Sequence, residues 1–331
     1  MIDLHVHLRG TLTPTMARKL AERNSMSLDA ALWAAKGYGW HDFTSFLWAY
    51  DHIASVIVTA QDLEEVAYDY LSRSAQLGTT YVEFMLSPPD LMRVGVAFDD
   101  QLAALSAARD RALEAYGIDC RMIATAVRHL GPTAAIQAAT IAASRRDDIL
   151  VGFGLTGDER MFAASDFKEA FRIARSEGLR ATAHAGEHLG PDTIIDAIEV
   201  LDLERVGHGI RAVESESVTR QLASAKVPLE VCLTSNLALN LYPSIGEHPV
   251  GRLAAAGCVV VLGTDDPSFF STDIETEYRL ASGFGLSALD ITAQANAASF
   301  RTKFDRLSGL QDRTVPSRPP ISPRTTDRPP P

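Results

Sequence analysis

Cysteine is scarce in this 331-residue chain, and its pattern excludes several kinds of site. The three cysteines, Cys120, Cys232 and Cys258, are odd in number, far apart and embedded in apolar runs. We therefore expect buried thiols rather than disulfides or a cysteine-rich zinc site. The chain contains no Cys-x-x-Cys run and no His-Glu-x-x-His run, which excludes the zinc sites of the cytidine deaminase type and of zincin proteases.

Positive charge and long apolar runs are also lacking. There are 31 Lys and Arg residues against 42 Asp and Glu, a net charge of -11, which argues against a nucleic-acid or anionic membrane surface because either needs a basic field. No apolar run approaches the ~18 residues that span a bilayer, and the first ten residues lack the pattern of a signal peptide. We expect a cytoplasmic protein whose partner is a small molecule, with no nucleic acid and no membrane.

What is present suits a large folded core. The composition is 46% hydrophobic and 22% charged, which is ordinary for a globular protein. The length allows two domains, but a single α/β barrel of ~250 residues with additions fits equally well. Composition therefore leaves the domain count open.

Eight short apolar runs rich in β-branched residues recur along the chain, with helically spaced stretches between them. Continuous apolar strands that alternate with helices indicate a parallel sheet covered by helices, and eight such units favour a closed (β/α)8 TIM-type barrel. The predicted strands are Ile2 to Val6, Thr80 to Met85, Cys120 to Val127, Ile149 to Phe153, Arg180 to Ala183, Arg205 to Gly207, Pro228 to Val231 and Cys258 to Leu262.

Two regions depart from this repeat. Residues 12–61 separate the first two strands and carry seven aromatic residues, which predicts a helical insertion that covers the active face, that forms a small core of its own, or both. Residues 311–331 contain seven of the 16 prolines and few apolar residues, which predicts a disordered tail. The expected arrangement is thus a barrel over residues 1–310 followed by that tail.

Polar residues stand at the ends of three predicted strands. His5 and His7 are two positions apart at the end of the first strand, so both side chains face the barrel interior. His184 ends the fifth strand, and the small residues after it allow the backbone to bring Glu187 alongside. A single strand histidine is alternatively a hydrogen-bonded core residue, and the pair alone leaves metal binding open.

Asp265 and Asp266 follow the apolar run of the eighth strand, at its C-terminal end. Adjacent strand residues face opposite ways, so we expect one carboxylate to point at a metal and the other to be free for substrate. An Asp-Asp-Pro run is alternatively a turn or a helix cap, and the Gly-His-Gly around His208 is alternatively a tight bend. All these residues nevertheless end predicted strands, at the face where barrel active sites are built, and they supply three histidines and one aspartate for a divalent cation.

Six motifs in order resemble those of the adenosine deaminase family, over the chain from Ile2 to about Phe300. Further resemblance lies in the lid segment that begins at Phe43, in the second strand and in the helix before the last strand. The motifs are HVHLRG from His5, LTGDE from Leu155, HAGE from His184, VGHGI from Val206, CLTSN from Cys232 and TDDPSFFSTDIETEY from Thr264.

The resemblance implies a role for each site residue. Metal ligands map to His5, His7, His184 and Asp265, and they would hold one Zn²⁺ per chain. The proton-transferring glutamate maps to Glu187, and His208 maps to the histidine that orients the attacking water. Asp266 maps to the residue that contacts the purine N7, and Gly157 to the glycine whose N–H meets N3.

The implied reaction is hydrolytic deamination of a 6-aminopurine nucleoside, adenosine or a 5'-modified adenosine, to the 6-oxopurine and ammonia. A divalent metal lowers the pKa of water to about 7, which makes hydroxide available at neutral pH. Glu187 would protonate N1 so that hydroxide adds at C6. Adenine deamination, or an inactive relative that binds a purine or acts as a scaffold, are the alternatives. The five lysines avoid the strand ends, which disfavours two metals bridged by a modified lysine.

Arg9 departs from the family pattern. The adenosine-specific branch has an acidic residue at this position, which contacts the sugar 5'-hydroxyl. A guanidinium group is a permanent cation with a planar set of donors, which suits a carboxylate or a phosphate. Arg9 therefore either binds an anionic part of the substrate or pairs with a carboxylate of the protein.

Overall fold

Eight parallel strands form one sheet in the computed structural model, which describes residues 1–35, 37–145 and 147–301. The strands are buried along almost their whole length, as expected where β-branched and apolar residues face both a core and a layer of helices. They are β1 Ile2–His7, β2 Tyr81–Leu86, β3 Asp119–Val127, β4 Leu150–Thr156, β5 Arg180–Ala185, β6 Arg205–His208, β7 Pro228–Val231 and β8 Val259–Leu262.

The sheet curls until its first and last strands meet. Each strand pairs with the next along the chain, in the order β1 to β8. Beyond the end of β8, the amide of His7 donates to the carbonyl oxygen of Asp265 at 2.8 Å, and the amide of Asp265 donates to the carbonyl oxygen of His5 at 2.8 Å. The predicted (β/α)8 barrel is confirmed, and its seam brings the ends of β1 and β8 together.

Helices follow the strands and surround the barrel. Several begin with a side-chain cap: at the start of the second helix, the Asp42 carboxylate accepts from the Ser45 amide at 2.7 Å and the Ser45 hydroxyl accepts from the Asp42 amide, which is a capping box. The helices are α1 Pro14–Arg23, α2 Phe43–Ala54, α3 Ala60–Gln76, α4 Pro88–Met92, α5 Phe98–Tyr116, α6 Gly131–Ala143, α7 Lys168–Ser176, α8 Asp192–Leu201, α9 Glu216–Ala225, α10 Leu233–Ala238, α11 Val250–Ala255, α12 Pro267–Phe270, α13 Ile274–Ser282 and α14 Ala288–Ala298.

The insertion after β1 packs against the segment that follows β8. Its buried rings Tyr38 and Phe46 contact Phe269, with ring centroids 4.4 and 5.6 Å apart, and Phe46 also stacks on Phe270 at 5.1 Å. Aromatic pairs at such distances stabilise a contact beyond the area they bury. The insertion thus shares its aromatic core with the barrel's last loop.

The predicted strands agree with the observed ones to within three residues. The largest difference is in β4, which we predict to end at Phe153 and which continues to Thr156. The short helices α4, α10 and α12 are not predicted, because four to six residues are too few to show helical periodicity. The predicted tail, residues 311–331, lies outside the described residues.

Two further predictions concern disulfide bonds and membrane spans. All three cysteines are buried and free of disulfides, as predicted. Among the helices of the described ranges, none combines the length and the apolar character that a membrane span requires.

Candidate active site

A cavity of about 380 Å³ opens at the C-terminal ends of the strands, within the range usual for small-molecule sites. Residues at or beyond the C-terminal ends of all eight strands contribute to its wall, and α2 of the insertion closes one side with Phe43, Phe46, Leu47 and Tyr50. All but one of the nine residues singled out from the sequence line it: His7, Arg9, Gly157, His184, Glu187, His208, Asp265 and Asp266. His5 lies directly beneath, fully buried.

Three imidazoles and one carboxylate converge at the floor of this cavity. The ring nitrogens of His5, His7 and His184 lie within 4.8 Å of one another. Asp265 approaches two of them, with its Oδ1 3.1 Å from Nε2 of His7 and 3.7 Å from Nε2 of His5. Gly207 leaves room for two of these rings, because a Cβ there would lie only 3.0 Å from both the His5 and the His184 rings.

The donor set fits a divalent cation. Within the part of the chain that the structure describes, Nε2 of His5 and Nε2 of His184 are buried and have no hydrogen-bond partner, a costly state for a polar atom unless a ligand completes it. Burial, reinforced by His208 and His5, holds the pKa of His184 well below its usual range, so its ring is neutral and can ligate. Three imidazoles with one carboxylate are typical zinc ligands.

Charge in the cluster points the same way. Burial opposes protonation of His7, but the carboxylates of Asp266 and Asp265 raise its pKa to about 9. Although burial opposes ionisation, the hydrogen bond from His7 and the nearby His208 hold the pKa of Asp265 well below its usual range. Asp265, which stays ionised, thus favours a positive charge among the imidazoles, which a metal ion would supply.

Glu187 and His208 face each other above the cluster, with Oε2 of Glu187 3.7 Å from Nε2 of His208. Burial and then the carboxylate of Asp265 raise the pKa of Glu187 well above its usual range, so this side chain can hold a proton at neutral pH. Burial lowers the pKa of His208 to about 3. Of the described groups, none hydrogen-bonds to either ring nitrogen of His208.

Asp266 and Gly157 both line the cavity wall. Burial, opposed by His7 and reinforced by Asp265, raises the pKa of Asp266 well above its usual range, so this carboxyl group can act as a hydrogen-bond donor. Gly157 has φ +89°, and a Cβ there would lie 2.9 Å from Nδ1 of His129. Only glycine fits this position without strain.

The two adjacent aspartates differ from the alternation expected of a strand. Because β8 ends at Leu262, Asp265 lies beyond the strand and adopts φ +60°. This left-handed conformation turns both carboxylates to the same cavity. His208 also adopts a positive φ of 61°, and such conformations are uncommon for residues other than glycine and concentrate at functional sites.

Arg9 forms an ion pair with a residue that the sequence did not single out. Its Nη1 donates to Oδ2 of Asp90 at 2.7 Å, and the two side chains are 11% and 10% exposed. Asp90 also accepts a hydrogen bond from Arg93 at the rim. The guanidinium lies 5.5 Å from the ring centroid of Tyr50, so it closes the cavity between α2 and α4.

Sequence reasoning also missed three buried residues that hold the site. Glu230 accepts from His5, Ser235 donates to Oδ2 of Asp265 at 2.5 Å, and Glu159 accepts from backbone amides around Glu187. A signal was available for Glu230, since a lone carboxylate inside the apolar run of β7 needs a partner. Glu159 lies in the LTGDE motif and Ser235 in the CLTSN motif, but the sequence indicated no role for either residue.

A parallel eight-stranded barrel with this His, His, His and Asp cluster at its C-terminal face has the architecture of the amidohydrolase-type barrels. The chain belongs to the adenosine deaminase family: the model of that family, described as adenosine deaminase, matches residues 1–313. The resemblance stated from the motifs is confirmed. Members of this family are metal-dependent hydrolases that act on aminopurines.

Three known proteins show how near the similarity is. An adenine deaminase of Rhizobium leguminosarum bv. trifolii is 38% identical over 298 residues, covering 90% of this chain and 92% of its own. An adenine deaminase of Rhizobium meliloti is 39% identical over 302 residues, covering 90% and 93%. The crystal structure of an adenine deaminase from Arthrobacter aurescens superposes with a TM-score of 0.83 at 28% identity, covering 93% of this chain and 96% of its own.

Proposed function

We propose that this chain is a zinc-dependent adenine deaminase, which hydrolyses the 6-amino group of adenine to give the 6-oxopurine and ammonia. The observation that carries the proposal is the buried cluster of His5, His7, His184 and Asp265 beneath a cavity that also holds Glu187. An inactive scaffold would gain nothing from buried imidazole nitrogens without partners, which cost stability unless a ligand completes them.

His5, His7, His184 and Asp265 would hold the metal. Bound there, a divalent cation supplies Lewis acidity and makes water acidic enough to give a nucleophile at neutral pH. The bonds around the cluster fix how these side chains present their donors: Nδ1 of His5 is engaged by Glu230, and Oδ2 of Asp265 by Ser235. Each residue therefore presents its remaining donor atom to the metal.

Glu187 is assigned the proton transfer to N1 of the purine. Protonation of N1 withdraws electrons from C6 and makes that carbon electrophilic. The raised pKa of Glu187, caused by its burial, keeps the proton available for this step. His208 is neutral because burial lowers its pKa, and its unpartnered ring nitrogens would hold the attacking water against C6.

Asp266 and Gly157 are assigned to the purine ring. A protonated Asp266 would donate to N7, which carries a lone pair, and the amide of Gly157 would donate to N3. The two contacts would fix the base at opposite edges. Adenine would thus lie with C6 towards the metal cluster.

The ion pair of Arg9 with Asp90 favours adenine over a nucleoside. The residue at position 9 faces the part of the ligand remote from C6, where relatives specific for adenosine use an acidic side chain to accept from the 5'-hydroxyl. A guanidinium cannot accept a hydrogen bond, and Asp90 occupies its Nη1. The pair therefore closes the wall where a ribose would need a partner, in keeping with the adenine deaminases that the chain is similar to.

A second candidate is deamination of an adenine nucleoside that bears a 5'-phosphate or carboxylate. One observation favours it: Nε of Arg9 is buried without a hydrogen-bond partner among the described residues. This donor could meet an anion beside the pocket. The cost would be competition with Asp90 for the same guanidinium.

The test is a spectrophotometric screen of adenine, adenosine and adenosine 5'-monophosphate, with elemental analysis of the same preparation. We expect one zinc per chain, turnover highest with adenine, and loss of turnover on chelation that added zinc restores. A metal-free preparation that is fully active would contradict the metal assignment. Absence of turnover with all three compounds in zinc-loaded protein would contradict the proposed function.

A further inference from the structure

The segment between β5 and α8 carries both His184 and Glu187, and a buried carboxylate from another loop holds it. Glu159 follows β4 in the LTGDE motif, and its side chain is 2% exposed. It accepts hydrogen bonds from four consecutive backbone amides and one hydroxyl: Gly186 N at 2.6 Å, Glu187 N at 3.0 Å, His188 N at 2.8 Å, Leu189 N at 3.1 Å and Thr193 Oγ1 at 2.9 Å.

These amides need an acceptor that the segment cannot provide for itself. Helix α8 begins only at Asp192, so they lie before the helix in an irregular turn. Buried amides without acceptors are rare in folded proteins because they are costly. Glu159 satisfies all four, and the amide of Glu187 itself is among them, so the carboxylate fixes the backbone from which the catalytic side chain projects.

A second side chain holds the other end of the segment. Nη2 of Arg128, which follows β3, donates to the carbonyl oxygen of His184 at 3.0 Å. Arg128 is 3% exposed, and it lies near enough to Glu159 to interact with its charge. The backbone is therefore held on both sides of Glu187, by groups from two different loops.

We propose that Glu159 is a positioning residue, which acts through Glu187 by fixing the turn that aims the Glu187 carboxyl group at N1 of the purine. The inference rests on the function proposed above for Glu187. Glu159 does not line the cavity, so it is not assigned any contact with substrate or metal. Its proposed effect is on turnover, because a proton donor misplaced by about 1 Å can cost about 10²-fold in rate.

The two carboxylate oxygens carry unequal shares of this task, which makes glutamine an informative replacement. Oε2 accepts from Glu187, His188 and Leu189, while Oε1 accepts from Gly186 and Thr193. A glutamine has one acceptor oxygen and one donor nitrogen. In either orientation Glu159→Gln therefore opposes a donor to at least one backbone N–H, while it conserves the side chain's volume.

The kinetic test compares Glu159→Gln with Asp62→Asn. Asp62, in α3, is a matched control because it too is buried and accepts from backbone amides, those of Val58 and Thr59. It does not line the cavity. We expect kcat to fall about 10²-fold in Glu159→Gln, with KM within about twofold and bound zinc at the parent level, and we expect Asp62→Asn to keep the parent kcat. Parent-like kcat in Glu159→Gln would overturn the proposal.

A double variant separates positioning from general damage. If Glu159 acts only through Glu187, then Glu159→Gln combined with Glu187→Gln should turn over no more slowly than Glu187→Gln alone. Additive losses would show that Glu159 supports the enzyme by another route and would overturn the proposal.

Hydrogen exchange gives a readout that needs no activity. Amides 186 to 189 should exchange at least tenfold faster in Glu159→Gln than in the parent, and at the parent rate in Asp62→Asn. Unchanged exchange would overturn the positioning role even in a protein that deaminates adenine. Suppose instead that exchange is faster in Glu159→Gln but that the parent deaminates none of adenine, adenosine and adenosine 5'-monophosphate. This result would support the role of Glu159 in fixing the turn and would contradict the proposed function.

Discussion

Glu230 accepts a hydrogen bond from Nδ1 of His5 at 2.7 Å in the closed interior of the barrel. The same carboxylate also accepts from Nε of Arg205 and from the hydroxyl of Thr182. Although burial opposes ionisation, Arg205 and the bond to His5 lower the pKa of Glu230 to about 2. An ionised Glu230 fixes the proton of His5 on Nδ1, which directs the Nε2 lone pair into the cluster of His5, His7, His184 and Asp265.

Replacing this carboxylate should weaken metal binding before it changes the fold. In Glu230→Gln the amide can no longer hold the His5 proton as an anion does, and we expect zinc affinity to fall by about 10 to 100-fold. The measurement is zinc competition against a chromophoric chelator. Glu204→Gln is the control, since Glu204 also pairs with an arginine, Arg180, but both of these side chains are 33% exposed; zinc affinity that falls equally in both variants would contradict the role of Glu230.

The proton donor should be separable from the metal site. Glu187→Gln keeps the shape of the side chain but has no acidic proton, so we expect kcat to fall by about 10² to 10⁴-fold while zinc content stays at one per chain. The comparison is steady-state kinetics with elemental analysis of the same sample. Near-normal kcat in this variant would remove Glu187 from the mechanism.

Sequence reasoning predicted Glu187 and missed Glu230, and the reason lies in how each residue is placed. Glu187 is three residues from His184 in one motif, so the local sequence is enough to predict that it lies close to His184. Glu230 reaches His5 across 225 positions, a contact that exists only because the barrel closes. The strands themselves were predictable because buried parallel strands are continuous apolar runs, whereas φ +60° at Asp265 is set by the seam between β1 and β8 and has no local sequence signal.

Acid should destabilise the protein through His248. Its Nε2 lies 3.1 Å from Oδ1 of Asn236, and its Nδ1 accepts from the amide of Val250 at 3.2 Å, so protonation of Nδ1 breaks a buried hydrogen bond. Burial lowers the pKa of His248 to about 4. A histidine whose folded pKa is depressed loses stability as pH falls below its unfolded pKa, by about 2 kcal/mol at pH 5 relative to pH 8.

The measurement is urea unfolding of the parent and of His248→Asn at pH 8 and pH 5. Asparagine can still accept from Val250 but does not titrate, so we expect its loss of stability between the two pH values to be about 2 kcal/mol smaller than in the parent. Equal losses in the two proteins would show that other groups account for the acid sensitivity.

Substrate choice should depend on the pairing of Arg9 with Asp90. In the parent, Arg9 pairs with Asp90 and also lines the cavity. We therefore expect kcat/KM to be highest for adenine and low for adenosine. Arg9→Asp restores an acceptor near the position of a ribose 5'-hydroxyl and should improve adenosine relative to adenine. Asp90→Asn leaves Arg9 without its buried counter-charge, so the free cation should favour adenosine 5'-monophosphate. The expected gain is about 1.5 to 3 kcal/mol, which is the contribution of a charged hydrogen bond.

The two variants act in opposite directions on the same guanidinium, which makes the comparison self-checking. Arg93→Gln is the matched control, because Arg93 also donates to Asp90 but its side chain is 64% exposed at the rim, where an ion pair contributes little. It should therefore leave the ratio of the three substrates near the parent value. If the ratio is unchanged in Arg9→Asp and in Asp90→Asn as well, the pair supports only the packing of α2 against α4. The preference for adenine would then have to come from the cavity's shape, because no charge at position 9 would be involved in it.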